Sequence, residues 1–520
     1  METYNKNTRK ILSGAAWLTI SAVILKIIGL VYKIPMSYIL GDEGMGYFNS
    51  AYTVYTLFYI LGSAGIGKAV SILCAKSSLS ESKAIFSIIF KFYFFIGLVL
   101  SLILILFSKT FSILISNENS FYTILAISPS VFFVCLSGVL RGYLNGKTKF
   151  VPVAISEMIG GISKLFLGLI LAKYATNRGF SLPTVSAFSI LGITLGSVFG
   201  FLYLRIYYAH ESRDIKKEIL NTKIILKEIL KIGIPIMLAS ALSTLVNIID
   251  LSVIMNRLKY SGYTESVSTV IYGNYTTLAV PMFTFVTTLI NTVTLASLPI
   301  IAAAFSKRKM EEMKLATKST LVISLFISIP SFAAFLFFPF EILSLIFEAS
   351  SAALGAGFLC CLAPGILFYS ILLYANTVLE GTGRVKCAVG SLIFGALIKC
   401  ILSYVLIGNE NFGALGAPIG TSVSYMASAL ISLYFLNKKL NIDGLPCATL
   451  LDYSIVTSLS LVFTIILKHF LITQNIVLRA KSLIILSVFA FFYITFTLFL
   501  TIIKGKQLHF FVKINKKQLM

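Results

Sequence analysis

The chain has 520 residues, 57% hydrophobic and 12% charged, with a mean hydropathy of +0.92 and a net charge of +23. A water-soluble domain carries roughly 25% charged residues, so this composition excludes an ordinary soluble protein and fits a bilayer as solvent. The positive charge does not point to nucleic acid, because Lys and Arg fall in short pieces between apolar runs, as they do in cytoplasmic loops of membrane proteins.

In chain order, apolar segments of spanning length are predicted near 11–31, 47–70, 85–107, 121–140, 151–173, 184–207 and 229–252, then near 270–297, 318–339, 354–377, 386–407, 412–436, 452–472 and 480–503. The basic start, Lys6 to Lys10, has the look of a signal peptide, but the apolar run that follows is too long and no small-x-small cleavage site stands out, so an uncleaved first helix is expected. Connections are short and the longest polar one runs from Arg205 to Lys231. The fold class is therefore an all-α integral membrane protein of about fourteen transmembrane helices. With the N-terminus inside, 29 of the 43 Lys and Arg residues fall in the cytoplasmic connections and 9 in the opposite set, which predicts an even number of spans and both termini in the cytoplasm.

An internal repeat is visible. Arg141-Gly142, Gly146, Lys147 and a run containing Lys164 parallel Glu380-Gly381, Gly383, Arg384, Lys386 and a run containing Lys399, about 235 residues on. Lys10-Ile-Leu-Ser-Gly14 parallels Leu230-Lys-Ile-Gly233, and Gly46 with Tyr47, Asn49 and Tyr52 parallels Gly273-Asn274-Tyr275. The predicted organisation is an N-lobe at 1–228, a C-lobe at 229–437, each of six helices in parallel repeat, and two extra helices with a basic tail at 438–520. Such halves are common in transporters, with the substrate site between them.

Ionisable residues within spans are costly, roughly 2.5–3.5 kcal/mol or more at a helix centre, and seven stand out: Lys26, Lys68, Lys91, Glu157, Lys164, Asp250 and Lys399. Lys26, Lys164 and Lys399 are expected near mid-membrane. Lys33 follows Lys26 by seven positions on the same face. Lys68 and Lys91 lie near helix ends, where snorkelling accounts for them. Glu157 and Lys164, also seven apart, share a face, and either a structural ion pair or a functional role suits them. Asp250 could bind a coupling cation or balance Arg257. Lys26 is the foremost candidate for meeting an anionic ligand, since no acidic residue occurs between positions 3 and 41.

Other chemistry finds little footing. Gly62-Ser-Ala-Gly-Ile-Gly67-Lys68 has the glycine and lysine spacing of a phosphate-binding loop, but Ala69 stands where a hydroxyl is needed, and close helix packing is the better expectation. The three histidines sit near no nucleophile–acid pair, the seven cysteines form no CxxC, and no metal, cofactor or catalytic site is predicted.

The stretch from Gly29 to Gly46, GLVYKIPMSYILGDEGMG, resembles the first helix and outer loop of the stage V sporulation protein B branch of the polysaccharide flippases. Leu140-Arg-Gly-Tyr143 with Pro152, and Leu379-Glu-Gly381 onward to Lys399, resemble that family's fourth-to-fifth and tenth-to-eleventh helix junctions. The family belongs to the multidrug, oligosaccharidyl-lipid and polysaccharide exporters. The resemblance implies two lobes giving alternating access to a central cavity, with an undecaprenyl-diphosphate-linked glycan as cargo, membrane lipids around it and cell-wall synthesis proteins as possible partners. It implies that Lys26, Lys33, Lys68 and Lys164 bind substrate in that cavity, with Lys26 and Lys33 standing where the lipid II flippase has arginines. Glu157, Asp250 and Lys399 are left for ion coupling or structural pairing. The expected activity is flipping of a cell-wall or spore-cortex precursor across the cytoplasmic membrane. A cation-coupled multidrug exporter of the same fold is the alternative, followed by a non-transporting scaffold or a membrane sugar-transfer enzyme.

Overall fold

The computed structural model describes residues 2–503 apart from 214, 217, 410, 441–446 and 475–476. Side chains are described from residue 24 onward, except at 26, 27, 30, 64, 239, 242, 243, 295, 296, 299, 439, 447, 448, 472 and 503. No strand occurs among the described residues. In hydrocarbon every backbone polar group must be satisfied internally, and helices of apolar residues do so within one segment.

The helices run α1 (Glu2–Lys76), α2 (Leu79–Leu106), α3 (Ser108–Leu114), α4 (Phe121–Gly146), α5 (Phe150–Asn177), α6 (Leu182–Glu211), α7 (Thr222–Tyr260) and α8 (Glu265–Asn274). They continue with α9 (Val280–Ser306), α10 (Met310–Phe337), α11 (Pro339–Ser344), α12 (Ala349–Gly381), α13 (Val385–Ile407), α14 (Gly416–Leu440), α15 (Cys447–Ile472) and α16 (Leu478–Ile503). A single π turn, Tyr275–Ala279, joins α8 to α9. Twelve stretches of the described residues are long and apolar enough to cross a membrane. The first of them, Val31–Lys76, passes through a break in α1, and the 39-residue α7 lies outside the twelve. Counting α1 as two limbs and adding α7 gives the fourteen-helix layout.

The break in α1 corrects one expectation. An outer loop is expected within the Gly29–Gly46 stretch, between the spans at 11–31 and 47–70, but helix runs through it and resumes at once after Gly41, which alone departs from helical angles (φ 61°, ψ −177°). Positive φ costs glycine little and other residues more, so one glycine replaces a loop.

Two compact units divide at Gly273/Asn274. This packing boundary differs from the repeat boundary expected at 228/229, because α7 packs on α1 within the first unit. In that unit the Gly62–Lys68 stretch is a packing surface. A Cβ on Gly65 would collide with the Gly233 carbonyl oxygen of α7, and one on Gly142 of α4 would lie 2.7 Å from the Gly67 carbonyl oxygen. Missing side chains there let the backbones approach closely. α5 and α6 meet in the same way, with Gly192 facing Gly168. At one end, Lys83 donates to the carbonyls of Ser212 (2.8 Å) and Ile215 (2.6 Å), and a Ser78–Glu81 capping box starts α2.

The second unit has its own core around Ile301, Leu321, Leu325, Tyr374 and Val378. Its element order repeats the first: α10, like α2, has 28 residues and is followed by a short helix, and then come three long helices, α12–α14 as α4–α6. Pro129 in α4 and Pro364 in α12 occupy matching positions in this series. α15 and α16 lie outside the series. They pack together through Phe463 and Phe492 (ring centroids 4.9 Å apart). Lys468–Glu341 (2.6 Å), the Ser344–Ser482 hydroxyl pair (2.9 Å) and the Tyr493 hydroxyl donating to the Phe326 carbonyl (2.9 Å) fix them to α10 and α11.

Candidate functional site

A cavity of about 490 Å³ lies inside the first unit, walled by α1, α4, α5 and α6. Helical spacing explains its lining. Tyr52, Tyr55 and Tyr59 follow one another at three and four residues and so share one face of the second limb of α1. Glu157, Gly160, Gly161 and Lys164 share a face of α5, while Gly196, Ser197 and Gly200 of α6 keep the opposite wall low. Arg141 enters from the end of α4.

The charges are sorted by geometry. Arg141 Nη1 meets Glu157 Oε1 at 3.3 Å, and both side chains remain about 30% exposed (27% and 30%). Arg141 Nε is buried and has no hydrogen-bond partner among the described residues. Lys164, one face-repeat along α5, places its ammonium over three rings: Tyr32 (4.9 Å), Tyr52 (5.3 Å) and Phe48 (5.9 Å). The negative faces of aromatic rings hold a cation with about 0.5–2 kcal/mol each, more where water is excluded. The Tyr32 hydroxyl donates to the Ser189 carbonyl at 3.4 Å, which fixes that ring. Lys33, half-buried on the first limb of α1, lies near enough for repulsion with Lys164. With Glu157 matched by Arg141, the cavity carries an excess of positive charge.

Of the residues singled out in the sequence, Glu157 and Lys164 are brought together at this cavity, and Lys33 lies near it. Lys26 lies on α1, but its side chain falls outside the described residues. Lys68 is exposed on α1 and is absent from the cavity wall, as is Lys91 of α2. Lys68 lies eight residues before the end of α1, whereas Lys91 is the thirteenth of the 28 residues of α2 and so stands near its middle, because that helix begins earlier, at Leu79, than the apolar run does. The wall of this cavity thus holds Lys164 and not Lys68. Asp250 is buried on α7, and Lys399 is half-buried on α13 in the second unit. Glu157 takes the ion-pair role rather than a free one. No group of three or more His, Cys, Asp and Glu residues suited to a metal occurs among the described residues. Arg141 was missed as a site residue because the apolar run was ended at Leu140, whereas α4 continues through Gly146. The tyrosine face was also missed; its three- and four-residue spacing was the available signal.

Residues 11–305 match the polysaccharide biosynthesis protein family, and residues 235–405 match the MatE family. Stage V sporulation protein B of Bacillus subtilis (strain 168) is 22% identical over 442 residues, covering 83% of this chain and 84% of that protein. Lipid II flippase MurJ of the same organism is 23% identical over 454 residues, covering 82% and 83%. Among solved structures, lipid II flippase MurJ in an inward closed conformation is similar with a TM-score of 0.73 at 18% identity, covering 93% of this chain and 98% of that one. A multidrug resistance MATE family transporter of the MOP superfamily, inward-facing, gives 0.63 at 17% identity, covering 82% and 98%. The fold is thus one shared by flippases and exporters. Since the first family match spans more than half of the sequence, the chain is a multi-pass membrane protein that belongs to the polysaccharide biosynthesis protein family.

Proposed function

We propose that the chain is a flippase that carries a lipid-diphosphate-linked sugar precursor from the inner to the outer leaflet of the cytoplasmic membrane by alternating access. The observation that carries this reading is the polarity of the first-unit cavity. Its carboxylate is already paired with Arg141, so an entering diphosphate meets Lys164, which is held by aromatic faces, with Lys33 nearby. Lys26, seven residues before Lys33, would extend the same cationic track, and Lys68, exposed near the end of α1, would meet the head group at the entrance. A buried cation is tolerated where water or a counter-ion reaches it. Asp250 and Lys399 are assigned to ion coupling or helix pairing, and the repeats 1–228 and 229–437 to the two moving lobes, with 438–520 beside them. Both termini are placed in the cytoplasm, as the distribution of Lys and Arg supports.

The alternative is a cation-coupled drug exporter of the same fold, which the MatE match over 235–405 supports. Positive charge in the cavity disfavours cationic cargo. Native mass spectrometry of the purified protein separates the two. The flippase reading expects co-purified undecaprenyl-linked species, retained by the wild type and depleted at least severalfold in Lys164→Gln. Only bulk phospholipid on both proteins, with retention of added cationic drugs, would speak for the exporter.

A further inference from the structure

The tyrosine face of α1 contributes nothing to the charge of the cavity. Ring centroids step from Tyr52 to Tyr55 by 5.9 Å and from Tyr55 to Tyr59 by 6.0 Å, with successive planes turned by 45° and 60°. All three rings border the cavity: Tyr52 is 41% exposed and Tyr59 half-buried, while Tyr55 between them is buried, at 5% exposure, and packs against both. The rest of the wall mixes apolar side chains, Leu25, Val134 and Ile193, with glycines and polar groups. Ser137, Ser156 and Ser197 border the same space, and Arg141 brings a buried Nε with no hydrogen-bond partner among the described residues.

A pyranose is amphipathic in the matching sense: its C–H face seeks aromatic carbon, and its hydroxyl rim needs donors and acceptors at the edge. Bare aromatic walls would suit a planar drug. Aromatic steps beside hydroxyls, with a guanidinium–carboxylate pair able to donate and accept, suit a sugar. From this we infer that Tyr52 and Tyr59, braced by the buried Tyr55 between them, form a saccharide-recognition ladder, which holds the glycan of the cargo while Lys164 meets its anionic group. The inference rests on the flippase reading for the identity of the cargo, but the ladder itself binds sugar.

The test uses the full-length protein in nanodiscs. The probes are undecaprenyl diphosphate, the same carrier bearing neutral, N-acetylated or uronic oligosaccharides, and those oligosaccharides free in solution. Tyr59 is the residue to change, because it lies two helical turns from Tyr52 and outside the trio of rings, Tyr32, Phe48 and Tyr52, that holds Lys164. Wild type should bind at least one glycosylated carrier more tightly than the bare one. Tyr59→Leu should reduce that preference about tenfold, the size of one aromatic contact, and Tyr59→Phe should retain it. Equal affinity of wild type for all carriers would overturn the ladder. So would a Tyr59→Leu protein that keeps the preference, or a Tyr59→Phe protein that loses as much as Tyr59→Leu. If wild type binds no carrier lipid but binds a free oligosaccharide that Tyr59→Leu releases, the ladder stands and the flippase reading falls.

Discussion

Glu157 and Lys164 stand two turns apart on α5 and meet different solutions to the same problem. The carboxylate takes Arg141 from α4 at 3.3 Å, while the ammonium takes three aromatic faces and meets no carboxylate among the described residues. The first arrangement is self-sufficient. The second is held weakly enough for an anionic ligand to compete, and this difference is why binding is assigned to Lys164. A double-mutant cycle on Arg141→Ala and Glu157→Ala, read as unfolding free energy, should give a coupling of about 1–2 kcal/mol, kept modest by the partial exposure of both groups. A coupling near zero would leave Glu157 free for ion coupling. The two α5 residues were legible in the sequence because charge inside an apolar run is rare. Arg141 was not, since its helix ends in a mixture of glycine and polar residues that reads as a loop. The contacts of Lys164 were invisible for another reason: Tyr32, Phe48 and Tyr52 lie more than a hundred residues away, and only folding of α1 against α5 brings them near.

Helices were the most legible part of the chain, because spanning length and hydrophobicity act along a single segment. What the sequence concealed was how they join and which partner each one takes. Gly41 bends α1 with one residue where a loop was expected, and α7 packs on α1 although the sequence repeat led us to expect a new lobe there. Small residues decide the second point. Gly65 faces the Gly233 carbonyl with no room for a side chain. Gly65→Leu should therefore lower stability by about 1–3 kcal/mol through overpacking, seen as a fall of several degrees in melting temperature. Gly390→Ala, on an exposed face of α13 with nothing near its would-be Cβ, is the control and should be neutral or slightly stabilising. A Gly65→Leu protein that melts with the wild type would remove close α1–α7 packing from the account.

At the scale of the molecule, the order of long and short helices in the second unit follows that of the first, and this was foreshadowed by the Arg141–Lys164 and Glu380–Lys399 stretches. The compact division at Gly273/Asn274 was not foreshadowed, since a repeat records sequence history while packing records which faces are complementary. Transport depends on both, and on the orientation proposed from the basic loops. Impermeant thiol labelling of intact cells should reach Glu348→Cys and spare Arg213→Cys, which fixes the direction in which movement is read. The measurement that bears most directly on the central claim is leaflet exchange of a fluorescent undecaprenyl-diphosphate oligosaccharide in proteoliposomes, followed by quenching from outside. Wild type should carry the lipid across at a rate well above that of empty liposomes, Lys164→Arg should keep much of that rate, and Lys164→Gln should lose at least tenfold. Exchange no faster than in empty liposomes, or equal rates for wild type and Lys164→Gln, would contradict the account.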